Sequence, residues 1–378
     1  MRYFLAALVL WLLAACESTP IRPMQSHEDT RSLTPEESRL WHSAAELDEQ
    51  LEKADYLYED AQLHAYLETV MYKLYPEYAG AISVRVVDSP SLNAFALPNG
   101  SIYINTGMLS RLENEAQLAT VLAHEGVHFT NKHSWKQRRS VKSSTAFSVG
   151  FGMVTGIPGL GDLISLSSIY GYSKDLEREA DAEGFQRLQS AGYDVSQAPV
   201  TFEFLLAEVE ALEIDEPYFF STHPGLEERI QSFNELVRQY GTANGYLGTA
   251  AYRAHVDKLQ LQLLADYLEL SQHQSVLLIL ERPEAFLRYP PSAWYYLGEA
   301  YHLRDEEGDA GRALDAYRTA IQQAPGFPPP YRALGLYYMK NNEPEQAENY
   351  FRQYLELQPD AADRDYIEYY RTSLKSGG

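Results

Sequence analysis

The stretch NEAQLATVLAHEGVHFTNKH, residues 114–133, reads as one helix with chemistry on one of its faces. Asn114 suits an N-cap and Gln117 follows three residues later, the spacing of a capping box. Apolar residues then recur at helical intervals to about His133. Inside the stretch, His124-Glu125-Gly126-Val127-His128 is an H-E-x-x-H motif. Imidazoles at i and i+4 leave the same helix face and can reach one ion. Glu125 is rotated by about 100° and can reach a water on that ion. Taken alone, the same spacing also describes two surface histidines on an ordinary helix.

The next helical segment separates these readings. SKDLEREAD (173–181) begins a helix, from about Leu163 or Lys174 to Ser190, that places Glu177 and Asp181 one turn apart on one face. Glu177 is the candidate third ligand, and Asp181 can accept the free imidazole N–H of a metal-bound histidine. Ala180 and Gly184 flank that face and would let the two helices approach closely, whereas Glu179 is expected to face solvent. Two histidines, one glutamate and an open position favour zinc, one ion per chain, over other divalent metals. Such an ion lowers the pKa of a bound water toward about 7. Glu125 would take that water's proton and pass it to the leaving amine. His223, in Thr222-His223-Pro224, has three open roles: a donor to the oxyanion, a fourth ligand that keeps the site latent, or a structural histidine.

Upstream, residues 35–75 read as helical, with Leu51, Ala54, Leu57 and Tyr58 at i, i+3, i+4 spacing. AISVRVV (81–87) alternates like a strand, and 93–97 and 101–105 read as two more across the turn-forming Pro98-Asn99-Gly100. The strand from Asn93 to Leu97 is a candidate edge on which a substrate could add in extended form; a core strand is the other reading. Between the two motif helices, residues 144–173 are rich in Gly and Ser with scattered apolar residues, a pattern expected of a loop.

Downstream, from about residue 250, the pattern is all-helical and repetitive. Trp294, Leu297, Gly298 and Tyr301 spell W-x2-L-G-x2-Y, and Tyr331, Leu334, Gly335 and Tyr338 restate it. Ala313, Tyr317 and Pro325 recur as Ala347, Phe351 and Pro359, 34 residues on, the period of a tetratricopeptide repeat (TPR). The turn at Asp305–Ala310 carries an insertion of three. Two repeats leave an apolar face uncovered, so helices within 250–290 are expected to supply a flanking unit.

These residues carry a family resemblance. NAFALPNGSIYINTGML (93–109), HEGVHFTNKH (124–133), SKDLEREAD (173–181) and THPGLEERI (222–230) resemble the zinc metallopeptidase family of HtpX, CAAX prenyl protease and BepA. The resemblance covers about residues 80–235. It implies an α+β fold, a mostly helical thermolysin-like zincin domain with a small β-sheet, here followed by an all-α TPR domain. It also implies Glu177 as third ligand and a histidine at the position of His223. Gly126 precedes Val127 where the family usually has a small residue directly before the second histidine. A mid-helix glycine costs about 1 kcal/mol relative to alanine, so a softened helix is expected. Lys174 replaces a common arginine.

The N-terminus reads as a targeting segment. Arg2 precedes the apolar run Tyr3–Ala15, too short to span a bilayer, and Leu13-Ala14-Ala15-Cys16 resembles a bacterial lipobox. Cys16, the single cysteine, is the expected lipidation site, with residues 1–16 a signal peptide and 17–34 a polar tether. Glu17 after it, by analogy with lipoprotein sorting, favours the outer membrane. The expected domains are then 35–245 for the peptidase and 250–375 for the repeats. A net charge of −22 argues against nucleic-acid binding. Together these readings predict a lipid-anchored periplasmic endopeptidase acting on misfolded or stalled envelope proteins, with the repeats contacting outer-membrane assembly machinery. The alternative is a chaperone-like or scaffold protein with little constitutive proteolysis.

Overall fold

The computed structural model describes residues 21–24, 33–53, 56–141, 172–212, 223, 225–241, 244–282 and 285–376. Cys16, the leader and nearly all of the 144–173 segment lie outside the described residues. Helix α1 (Pro35–Lys53) and α2 (Ala61–Leu74) precede a 3-10 turn at Pro76–Tyr78. Strands β1 (Ser83–Val87), β2 (Ala94–Ala96) and β3 (Ser101–Asn105) follow, then α3 (Thr106–Arg111), α4 (Glu115–Thr130) and α5 (His133–Val141). Next come α6 (Lys174–Ser190), α7 (Gln197–Leu212), α8 (Leu226–Tyr240), α9 (Thr249–Glu269), α10 (His273–Leu280) and α11 (Ala285–Arg288). The chain closes on α12 (Ala293–Arg304), α13 (Asp309–Gln323), α14 (Pro329–Lys340), α15 (Pro344–Leu357) and α16 (Arg364–Ser376).

The sheet has the order β1-β3-β2, with β1 parallel and β2 antiparallel to β3. Its side chains alternate between two cores, as the pleat requires. Val84, Val86, Ala94, Ala96, Ile102 and Ile104 enter the main core with α2 and α4. Val87, Phe95 and Tyr103 face the other way, against Ala44, Leu47 and Leu51 of α1. Asp48 of α1 locks that contact by accepting from Ser101 Oγ, Tyr103 Oη and Asn99 Nδ2, each at 2.6 Å. Among the described residues strand β2 lies at the sheet edge, and its three residues are all buried, so the substrate-strand and core-strand readings both stay open.

Residues 35–75 are not one helical run. Leu57 bridges to Val87 and Tyr58 N–H donates to Val86 O, so this segment extends along β1. Asp60 then restarts the helix, accepting from Gln62 and Leu63 N–H. The helical spacing of Leu57 and Tyr58 was overridden by a strand edge offering ladder partners.

Helix α4 is buried along all its 16 residues, its polar side chains included. Asn114 caps it, accepting from Gln117 N–H, while the Gln117 side chain accepts from Glu113 N–H. It ends earlier than the sequence suggests. Lys132 takes a left-handed φ of 53°, and His133 begins a separate helix. Gly126 is required by packing: a Cβ there would lie 2.3 Å from Cε2 of Tyr75, whose hydroxyl donates to Ala123 O at 2.5 Å.

Helix α9 belongs to two cores. Tyr252, Val256 and Leu259 enter the core of the sheet and α4. Leu263, Leu264 and Tyr267 join α10 and α12. That second cluster covers the outer face of the first repeat, the flanking role expected of residues 250–290. In the repeats, Gly298 and Gly335 each lie under an aromatic ring of the paired helix, Tyr317 and Phe351 respectively.

Candidate active site

Helices α4 and α6 pack closely, with Gly184 so near the backbone of His124 that a Cβ would stand 3.3 Å from its nitrogen. This contact sets the two motifs face to face. His124, His128, Glu177 and His223 bring one donor atom each within 4.8 Å of one another, all buried. Nε2 of His128 lies 2.9 Å from Nε2 of His124, which in turn lies 3.2 Å from Nδ1 of His223. The Glu177 carboxylate is 3.4 Å from His124, 3.5 Å from His128 and 3.1 Å from His223.

The donor set suits a metal. Bonds of about 2.0–2.1 Å to a tetrahedral ion place neighbouring donors about 3.3–3.4 Å apart, close to the separations here. Imidazole nitrogens approach to 2.9 Å only with a proton or a cation between them. Glu125 adjoins this cluster on α4, fully buried, and neither of its carboxylate oxygens has a hydrogen-bond partner among the described residues. Nε2 of His223 lies 3.4 Å from its Oε1. Burial pushes the Glu125 carboxyl above its ordinary value. A buried carboxylate without hydrogen bonds is costly unless a polar group approaches it, and a water or substrate group would do so.

The charges around the donors are organised by a third helix. Asp181 sits 2.9 Å from Nδ1 of His124, leaving Nε2 of that ring for the donor cluster. Arg229 of α8 grips Asp181 with two bonds, 2.8 Å from Nε and 2.7 Å from Nη2. Its guanidinium rests on Phe202 and lies 3.4 Å from Glu177. Burial opposes the charge on Asp181, and Arg229 and His124 overcome it, holding the carboxyl below its usual range. Burial likewise opposes the charge on Glu177, where His223 and His124 keep the carboxylate well below its ordinary value. For His124, burial and Arg229 disfavour the cation, but Glu177 and Asp181 prevail and push the imidazole up to about 9. Burial and His124 drive His128 well down.

All of the expected residues of the described chain, His124, Glu125, His128, Glu177, Asp181 and His223, therefore meet in one place. Three neighbours went unrecognised. Arg229 lies within the quoted THPGLEERI, but an arginine on an amphipathic helix reads as solvated. Tyr172 stacks on His128 at 3.8 Å. His133 touches the far side of the same ring. Glu179 is not simply solvated: it accepts from Asn131 Nδ2 and from Lys136 Nζ, tying the end of α4 and the start of α5 to α6. Lys174, in place of an arginine, reaches Glu228 only at 3.5 Å on the exposed surface.

Two histidines and a glutamate converging on one point, beside a buried glutamate, define a metallopeptidase-type centre. Residues 58–237 match peptidase family M48, and residues 306–367 match the tetratricopeptide repeat. The chain carries an M48 peptidase domain followed by TPR helices. A beta-barrel assembly-enhancing protease of Escherichia coli (strain K12) is 24% identical over 259 residues, covering 61% of this chain and 52% of that protein. Another, of Yersinia pestis, is 29% identical over 198 residues, 48% of this chain and 40% of that protein. The mitochondrial metalloendopeptidase OMA1 of Danio rerio is 31% identical over 170 residues, 41% of this chain and 35% of that protein. The chain thus spans about half the length, or less, of these relatives.

Proposed function

We propose that this protein is a zinc-dependent endopeptidase of the bacterial periplasm that degrades misfolded or stalled envelope proteins. The observation that carries the reading is the buried four-donor cluster beside Glu125, whose oxygens have no hydrogen-bond partner among the described residues. The names of the relatives, assembly-enhancing proteases and metalloendopeptidases, support the same class.

His124, His128 and Glu177 would hold the ion, and a bound zinc supplies Lewis acidity toward a water and a scissile carbonyl. Asp181, fixed by Arg229, orients the His124 ring by accepting from Nδ1. Glu125 takes the proton of the attacking water and delivers it to the leaving amine. A substrate strand adds along β2, which among the described residues is an edge strand. We read His223, with Nδ1 among the donors and Nε2 beside Glu125, as a fourth ligand that keeps the centre latent. That geometry favours it over the oxyanion-donor role.

On this reading residues 35–245 form the peptidase domain and 250–375 the repeat domain, with Tyr252, Val256 and Leu259 at the start of the latter packed into the peptidase core. Residues 1–16 are a lipoprotein signal, and 17–34 tether the protein through lipidated Cys16 to the inner face of the outer membrane. The repeats would contact outer-membrane assembly machinery, a reading that the relatives' name, beta-barrel assembly-enhancing protease, supports. A second reading, a chaperone-like or scaffold protein, is motivated by a groove of about 450 Å3 in the repeats, lined by Tyr295, Tyr301, Tyr317 and Tyr337.

The test is cleavage of an unfolded protein by the zinc-loaded chain. Wild type should cleave, Glu125→Gln should lose at least about 100-fold of the rate, and His223→Ala should cleave faster. Undiminished cleavage by Glu125→Gln would refute the mechanism. Full cellular function of that variant would instead favour the scaffold reading.

A further inference from the structure

The metal ligands differ in what stands behind them. His124 is backed by the carboxylate of Asp181, but His128 is backed by another imidazole, with Nδ1 of His133 2.9 Å from Nδ1 of His128. We infer that His133 is a positioning residue that fixes the ring and tautomer of His128, an inference that rests on the metallopeptidase reading.

The chain makes a deliberate detour to place it. On an unbroken helix a residue five positions after His128 would point about 140° away from it. The break at Asn131–Lys132, with φ of 53° at Lys132, turns the backbone so that His133 folds back against His128. His133 is fully buried, and its ring meets that of His128 edge-on at 4.9 Å. Tyr172 covers a face of the same His128 ring, so the imidazole is held from two sides.

The proton count assigns the roles. Two ring nitrogens 2.9 Å apart share one proton, so one donates and the other accepts. Nε2 of His128 faces the donor cluster and must offer a lone pair to bind an ion. The proton of His128 therefore sits on Nδ1 and is donated to Nδ1 of His133. This leaves the proton of His133 on Nε2, which has no hydrogen-bond partner among the described residues and faces Glu179 Oε2 at 3.5 Å. Glu179 is pinned there by Asn131 and Lys136, and favours that tautomer electrostatically. The reverse arrangement would put a proton on the very nitrogen that must bind the metal.

The experiment measures zinc affinity of the full chain by chelator competition for wild type, His133→Leu and His133→Asn. Leucine removes the acceptor, and a loss of roughly 10- to 100-fold is expected. Asparagine can set its amide oxygen where Nδ1 stood, so it should bind close to wild type. Equal affinity of wild type and His133→Leu would overturn the inference, as would an equal loss in both variants. A 15N NMR spectrum of the zinc-loaded wild type tests the same point without a substitution: His133 should be the Nε2–H tautomer, and the Nδ1–H tautomer would overturn it. If the wild type bound no stoichiometric zinc, the metallopeptidase reading itself would fall, an outcome distinct from any His133 result.

Discussion

Replacing Gly126 with alanine sets two effects of opposite sign against each other. Helix propensity alone favours alanine by about 1 kcal/mol at this interior position. Packing opposes it. The new methyl would sit 2.3 Å from Cε2, 2.5 Å from Cζ and 2.7 Å from Oη of Tyr75. The ring cannot easily retreat, because Tyr75 is buried and the Arg187 guanidinium lies 4.5 Å from its centroid. Overpacking of this kind costs about 1–3 kcal/mol. Displacing the ring also removes its bond to Ala123 O, worth about another 1–3 kcal/mol with the hydroxyl left buried. The net expectation is a destabilisation of about 1–5 kcal/mol. Urea denaturation followed by tryptophan fluorescence measures it, since Trp41 and Trp135 belong to the peptidase part. Tyr75→Ala in the same chain should erase most of the alanine penalty, the coupling expected of residues in contact. A Gly126→Ala protein as stable as wild type, or more so, would show that propensity governs this helix and that the contact with Tyr75 yields freely.

Two other results are expected. Arg229→Met leaves Asp181 buried without its bidentate partner, so unfolding should become easier by about 3–5 kcal/mol in urea, and Arg229→Lys should fall between the two because a lysine cannot grip both oxygens. Asp309 receives bonds from Arg304, the largest influence on it, and these hold its carboxyl well below the ordinary value of 3.8. A depressed folded-state pKa means that its stabilisation is present above that value and disappears as the pH falls through the lower folded one. The gap in thermal midpoint between wild type and Asp309→Asn should thus be widest near neutrality and close as the solution is acidified below pH 3.8; a gap that ignores pH would refute it.

Much of this centre was readable from spacing because its chemistry obeys helix periodicity. His124, His128, Glu177 and Asp181 lie on two regular helices, and a period of 3.6 residues determines which of their side chains share a face. What spacing could not convey were contacts made across irregular backbone or against an expected habit. His133 reaches the site only because the helix breaks at Lys132, a left-handed turn that neither glycine nor proline announces. Arg229 was hidden because helical arginines usually face water. Gly126 looked like a weakness within its own helix, and its use became visible only when Tyr75 arrived from 51 positions earlier in the chain. The extended run at Leu57 and Tyr58 was missed for a related reason: its partner strand lies beyond the next helix.

Helix α9 has a consequence for how force and motion pass through the molecule. A linker would let the repeats swing on the peptidase, but a single rod whose two halves are each embedded in a different hydrophobic core offers no joint at which to swing. Tyr267 also takes a bond from Arg111, and Arg288 pairs with Glu113, so the junction is clasped from the side as well. The repeat helices and the peptidase core therefore share one continuous helix and not a flexible linker. Severing the chain at residue 250 would not release a working peptidase; it would pull Tyr252, Val256 and Leu259 out of its interior.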